Sequence, residues 1–196
     1  MQQWWPPMDK VAGPVLLREW TPADLPAIEA ASQDPYIPRI TTVPSNYTPA
    51  AGDAWLTRQR GHLTNRRACP LAVVARSAEE GSEHVVGFAA VNRIDWDAGT
   101  AAVGYWILAE ERGHGYAKAA LALLPQLASQ LGLRRLEALI ERDNLASQAT
   151  ARAVGFAPSP EGNRTERIGG REREMLSFLM ELSPPAAAGR LVPHDR

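Results

Sequence analysis

Arg112, Gly113, His114, Gly115, Tyr116, Ala117 and Lys118 stand where an apolar run, Tyr105–Leu108, gives way to a long helical pattern. Strand, glycine-rich loop and helix N-terminus together make an anion cradle out of backbone alone. The first turn of a helix has N–H groups without intrahelical partners and a partial positive charge. Small residues there let a phosphate come close to the main chain. The composition of the loop distinguishes among phosphate-binding patterns. A P-loop needs Gly-x-x-x-x-Gly-Lys-Ser/Thr, and the chain contains no such string. A dinucleotide fingerprint fits Gly113 and Gly115 but ends on Lys118, too bulky for close helix–strand packing. The pattern Arg/Gln-x-x-Gly-x-Gly/Ala is met in full by Arg112, Gly115 and Ala117.

A second segment, RLEALIERDNLASQATARAVGF at 135–156, repeats the strand-to-helix logic. Leu136, Ala138 and Ile140 alternate as in a strand, Asn144-x-x-Ser147 opens an alanine-rich helix, and Gly155 is a natural helix stop. The two motifs, in this order and one helix and one strand apart, resemble the acetyl-CoA-binding motifs of the GNAT superfamily of N-acetyltransferases. The resemblance covers roughly residues 14–182. It is closest to the Rim-type branch, which acetylates N-terminal amines of ribosomal proteins and favours Ser at the position of Ser147.

The resemblance implies an α/β fold with a mixed, largely antiparallel sheet of about six or seven strands and about four helices. It implies transfer of acetyl from acetyl-CoA to a primary amine, either a protein N-terminus or a small molecule, by direct attack in a ternary complex. Backbone N–H groups of residues 113–118 would take the pyrophosphate, with Arg112, Asn144 and Ser147 completing the cofactor site. In the family the strand before the loop is splayed by a bulge and pairs with the pantetheine arm, which assigns that role to Ile107 and Leu108. It also puts the oxyanion near the Leu108 N–H. Much of the superfamily protonates the leaving thiolate with a Tyr seven residues after the motif Asn; here that residue is Ala151. The Rim-type alternative is Ser147, whose hydroxyl can donate to sulfur or relay a proton from water.

The general base is not marked. The branch often carries Glu two residues before the equivalent of Gly104, where this chain has Ala102. Glu141, Asp143, Glu137, Asp95 and water remain as candidates. An α-amine with a pKa of about 7.7–8.0 is roughly one-tenth neutral at pH 7, whereas a lysine at about 10.4 is some three decades worse off. A site without a strong base therefore suits α-amines or other low-pKa amines. A rival reading from another class is a non-catalytic acyl-CoA sensor or interaction module, because the cofactor motifs are present while two frequent catalytic residues are not. Acceptor contacts are expected from 35–47, the first two helices and 92–96, with Tyr36, Tyr47, Trp55, Trp96 and Trp106 as channel aromatics.

These residues have to be positioned by one folded unit. The chain has 196 residues, 45% apolar content and a net charge of −1. That size suits a single core, and the charge argues against nucleic-acid binding, which needs a basic face. No apolar run approaches the ~20 residues of a membrane span. The four His residues, at 62, 84, 114 and 194, lack metal-ligand spacing, so no metal is expected. A single cysteine, Cys69, and no signal-like N-terminus point to the cytoplasm. The sequence leaves a homodimer open.

The pattern predicts an arm at 1–13, an acetyltransferase domain at 14–182 and a flexible tail at 183–196. Expected strands are 15–20, 70–76, 85–93, 100–108 and 136–140. A helix opens at Thr21-Pro22 and a second at Thr48, each with a capping residue and Pro in the first turn; residues 34–47, with three prolines, read as irregular. Ala117, Ala120, Leu121, Leu124, Leu127, Ala128 and Leu131 define one buried helical face. Pro125 should kink that helix or leave one carbonyl unpaired.

Overall fold

A computed structural model describes residues 11–76, 82–168 and 171–183. The elements run β1 (Val11–Ala12), β2 (Val15–Arg18), α1 (Leu25–Gln33), α2 (Ile37–Ile40), α3 (Pro49–Thr64), β3 (Cys69–Arg76), β4 (Glu83–Asp95) and β5 (Thr100–Ile107). They continue with α4 (Tyr116–Gln130), β6 (Arg135–Glu141), α5 (Leu145–Val154), β7 (Ala157–Pro158), β8 (Arg164–Ile168) and β9 (Arg171–Glu181).

The strands form one open sheet in the order β1-β2-β3-β4-β5-β6-β9-β7, with β8 also paired to β9. Only β5 and β6 run parallel, joined through α4; every other pair is antiparallel. The sheet has more strands than the sequence pattern implies because β1 and β7 are two-residue segments with no periodicity to read. The fifth helix is α2, in the stretch expected to be irregular. Its first turn accommodates Pro38, and the Asp34 carboxylate accepts from the N–H groups of Tyr36 (2.7 Å) and Ile37 (2.9 Å). Val11 and Ala12, expected in the N-terminal arm, pair with Leu16 and Val15. The rest of the arm, and the tail beyond Ser183, lie outside the described residues, as does most of the turn between β3 and β4.

Strand alternation puts successive side chains on opposite faces, and both faces are covered. Val15, Leu17, Leu71 and Val73 meet Leu121, Leu124 and Leu127 of α4 on one face. Leu16, Ala72, Val74 and Trp106 meet Ile28 of α1 and Trp55 and Leu56 of α3 on the other. Each buried Leu contributes roughly 1.5–3 kcal/mol, so α4 is firmly seated behind its own N-terminal loop. The helix passes Pro125 without a break; Pro has no N–H to give the Leu121 carbonyl.

Candidate active site

After Ile107 the chain makes a short 3-10 turn, Ala109–Glu111, and then the loop that opens α4. Gly113 (φ 86°) and Gly115 (φ 79°) are left-handed, a conformation that costs any L-residue with a Cβ about 1–2 kcal/mol. Gly115 is the N-cap, and the first intrahelical bond is Ala119 N–H to Gly115 C=O at 3.1 Å. The N–H groups of Tyr116, Ala117 and Lys118 therefore have no helical partner. Gly113, Gly115, Tyr116, Ala117 and Lys118 line a cavity of about 1190 Å³. His114 does not line it. Its ring stacks on Tyr116 at 5.5 Å and its Nδ1 lies 3.2 Å from the Glu111 carbonyl.

Arg112 serves the loop differently from a free phosphate ligand. Its Nε donates to the Ile107 carbonyl (3.1 Å) and its Nη2 to Asp34 Oδ2 (2.6 Å). Asp34 has a side chain only 2% exposed while that of Arg112 is 48% exposed, so the pair is sheltered on the Asp34 side and ties the loop to the segment between α1 and α2. Burial alone would raise the Asp34 carboxyl. The N–H groups of Ile37 and Tyr36 and the Arg112 guanidinium outweigh it and hold the carboxyl below its ordinary range.

The second feature is a split in the sheet. β5 pairs with β4 as far as Ile107, but its pairing with β6 ends at Val103↔Ala138. No bulge interrupts β5 between Gly104 and Ile107; the register shift of the β4–β5 ladder lies between Asn92 and Asp95, at the other end. The Leu108 N–H donates to the Val86 carbonyl at 2.9 Å, so in this structure it is committed to the sheet and does not face an oxyanion. Backbone groups alternate sides along a strand. Those of Tyr105 and the N–H of Ile107 consequently point away from β4, into the split, without a strand partner.

The third feature is the start of α5. Asn144 Oδ1 accepts from the Ser147 N–H (3.0 Å), while its Nδ2 donates to Tyr36 Oη (3.0 Å). Gly155, at φ 106°, ends the helix. Ser147 is half-buried and lines the cavity, and its hydroxyl lies within hydrogen-bonding reach of the Tyr105 phenol. Ala151, at the usual Tyr position, is fully buried in the α4–β6 core, where a Tyr would not fit. Arg152 lies over the Phe178 ring at 5.0 Å.

Two tyrosines on this site carry no motif signal. Tyr105 Oη donates to the Ser147 carbonyl at a long 3.5 Å, and burial raises its pKa. Tyr36 was expected only as a channel aromatic, yet it bonds the second motif directly. Trp55 and Trp106 also line the cavity, with Phe88 stacked on Trp106 at 5.9 Å. Tyr47 and Trp96 do not: Tyr47 packs against Gly52, and Trp96 donates to the Arg66 carbonyl.

The carboxylates are mostly committed. Glu141 lines the cavity but is ion-paired to Arg173; burial would raise it, and Tyr36 and Arg173 instead hold it below its ordinary range. Glu166, on β8, lines the cavity and is held low by two 3.1 Å bonds from Arg93. Glu137 accepts from Ser177, and Asp95 caps the turn at Ala98; neither lines the cavity. Asp143 lines it without a side-chain partner among the described residues. Among the described residues no group of three or more His, Cys, Asp or Glu could hold a metal ion, and no helix is long and apolar enough to cross a membrane.

No curated protein matches the chain in sequence. Solved structures do match in fold. RimL, a ribosomal L7/L12 α-N-protein acetyltransferase in complex with coenzyme A, is 18% identical with a TM-score of 0.75, over 89% of this chain and 97% of its own. Mycobacterium smegmatis RimJ is 22% identical with a TM-score of 0.71, over 87% and 83%. The microcin C7 self-immunity acetyltransferase MccE, in complex with acetyl-CoA and AMP, is 19% identical with a TM-score of 0.75, over 89% and 99%. The acetyltransferase (GNAT) domain model matches residues 15–157, which hold the glycine loop, the split and the Asn144 cap. The chain belongs to the GNAT acetyltransferase family.

Proposed function

We propose that this acetyltransferase moves an acetyl group from acetyl-CoA to a primary amine, preferring an α-amine or another amine of low pKa, by direct attack in a ternary complex. One observation carries the reading. The α4 N-terminus, the open edge of β5, Ser147 and the aromatic wall of Trp55 and Trp106 all line the same cavity. A cofactor on the loop and an acceptor beside the wall would share one space, so no covalent relay through the protein is needed.

Free N–H groups at residues 116–118 suit the pyrophosphate. The edge of β5 suits the amide groups of the pantetheine arm, and the Ile107 N–H is the nearest candidate donor for the developing oxyanion. The Ser147 hydroxyl, beside the Tyr105 phenol, can turn to donate to the leaving sulfur.

Acceptor preference follows from the carboxylates. With Ala102 where the branch often has Glu, and with Glu141 and Glu166 held ionised by arginines, those two cavity carboxylates are weak bases. The α-N-terminal activity in the name of RimL is consistent with an α-amine acceptor. The test is release of CoA thiol from acetyl-CoA with matched peptides, one offering only an α-amine and one only a lysine amine, at pH 7. A higher kcat/KM for the α-amine peptide supports the reading. Binding of acetyl-CoA with no turnover on any amine would replace it with the sensor.

A further inference from the structure

Tyr36 stands at the start of α2, and its phenol oxygen is placed unlike that of a lining residue. Asn144 Nδ2 donates to it at 3.0 Å. The Glu141 carboxylate is within hydrogen-bonding reach of the same phenol. An ionised carboxylate can only accept, so a bond between the two uses the phenol proton. Burial and Glu141 push the phenol up to about 12, which keeps it protonated. Glu141 is anchored in turn by its ion pair with Arg173 of β9.

A phenol oxygen has one proton and two lone pairs. Asn144 donates to one lone pair, and the proton is within reach of Glu141. The second receives no hydrogen bond from any described residue, and both Tyr36 and Glu141 line the cavity. Where the phenol donates to that charged carboxylate, it is polarised and its oxygen becomes a better acceptor. Asn144 also holds the Ser147 N–H, so one side chain links the phenol oxygen to the residue assigned to the leaving sulfur.

We propose that Tyr36 Oη accepts an N–H of the acceptor's amine and aims the nitrogen lone pair at the thioester carbon, making Tyr36 a catalytic residue of this reaction. This rests on the reading that the substrate is an amine. The nitrogen forms the C–N bond, the C–S bond breaks, and its electron pair leaves on sulfur. One proton of the former amine ends on the thiolate, directly or through Ser147, giving the amide and CoA thiol. Tyr36 gains and loses no proton; it orients the nucleophile. The site then needs no strong base, since it selects the neutral amine by geometry.

The test uses Tyr36→Phe, which keeps the ring against which Arg39 lies (6.0 Å) and removes only the oxygen. Three quantities are measured on the parent and the variant. They are kcat/KM for a panel (peptides beginning with Ala, Ser, Met or Leu, and butylamine), acetyl-CoA hydrolysis without amine, and the CoA Kd by calorimetry. Loss of one hydrogen bond to the nucleophile predicts about a tenfold fall in aminolysis, with hydrolysis and Kd within twofold of the parent. Unchanged aminolysis overturns the proposal. So does a parallel fall in all three, which would make Tyr36 a brace for Asn144. If the parent binds CoA but acetylates no member of the panel, the amine reading itself fails and takes this role with it.

Discussion

Gly115 offers a separation of charge from backbone at the cofactor loop. A Cβ there meets no atom within 4 Å, so its cost is conformational, from a φ of 79°. Gly115→Ala should cost about 1–2 kcal/mol of stability. Gly115→Asp should cost less, because Asp tolerates the left-handed region and its carboxylate suits a helix N-terminus. Binding should run the opposite way. A carboxylate about 4 Å from a phosphate charge costs ~1 kcal/mol in bulk water and ~4 kcal/mol near a protein surface. The loop is exposed, so a value between these applies, roughly 10²-fold in affinity. Calorimetric titration with CoA at low and high salt, together with thermal denaturation, reads both effects. The Asp variant should be the more stable of the two, the weaker binder, and partly rescued by salt. If it binds CoA within twofold of the Ala variant at low salt, the pyrophosphate does not sit at this helix end.

Ser147→Ala keeps the backbone N–H that Asn144 caps, so α5 should be undisturbed while kcat falls by up to about 10²-fold; an unchanged kcat with chemistry rate-limiting would leave water as the acid. Aminolysis should rise with pH toward the pKa of the acceptor amine, and a pH-independent rate between 6 and 8 would reveal a hidden base, with Asp143 the first residue to mutate. Asp34 has a folded pKa below its ordinary 3.8, so its contribution is complete above that pH and is lost as pH falls through the folded value. Asp34→Asn should therefore lower stability by about 1–3 kcal/mol at neutral pH, with the gap closing on acidification. Urea melts at pH 7 and pH 3 measure it, and an equal gap at both would remove the charge from the argument.

The sequence by itself determined the two helix N-termini that face the cavity. Gly113 and Gly115 are required by positive φ, Asn144 by the need to cap α5, and the Leu-rich stripe of α4 by the face it buries; each is a local constraint written in residue types a few positions apart. The position of Ser147, three residues after that cap, was legible for the same reason. Tertiary structure decided everything that depends on residues far apart in the chain. Arg112 reaches Asp34 across 78 positions and Asn144 reaches Tyr36 across 108, contacts for which no local pattern exists. The Leu108 N–H was consumed by Val86, because pairing with β4 continues one residue beyond the end of β5. Which carboxylates are silenced, Glu141 by Arg173 and Glu166 by Arg93, was settled by where the β8–β9 hairpin lies against the cavity. A side chain's type limits the chemistry it can do, but its partners in space set whether its proton, its lone pair or its charge is still available.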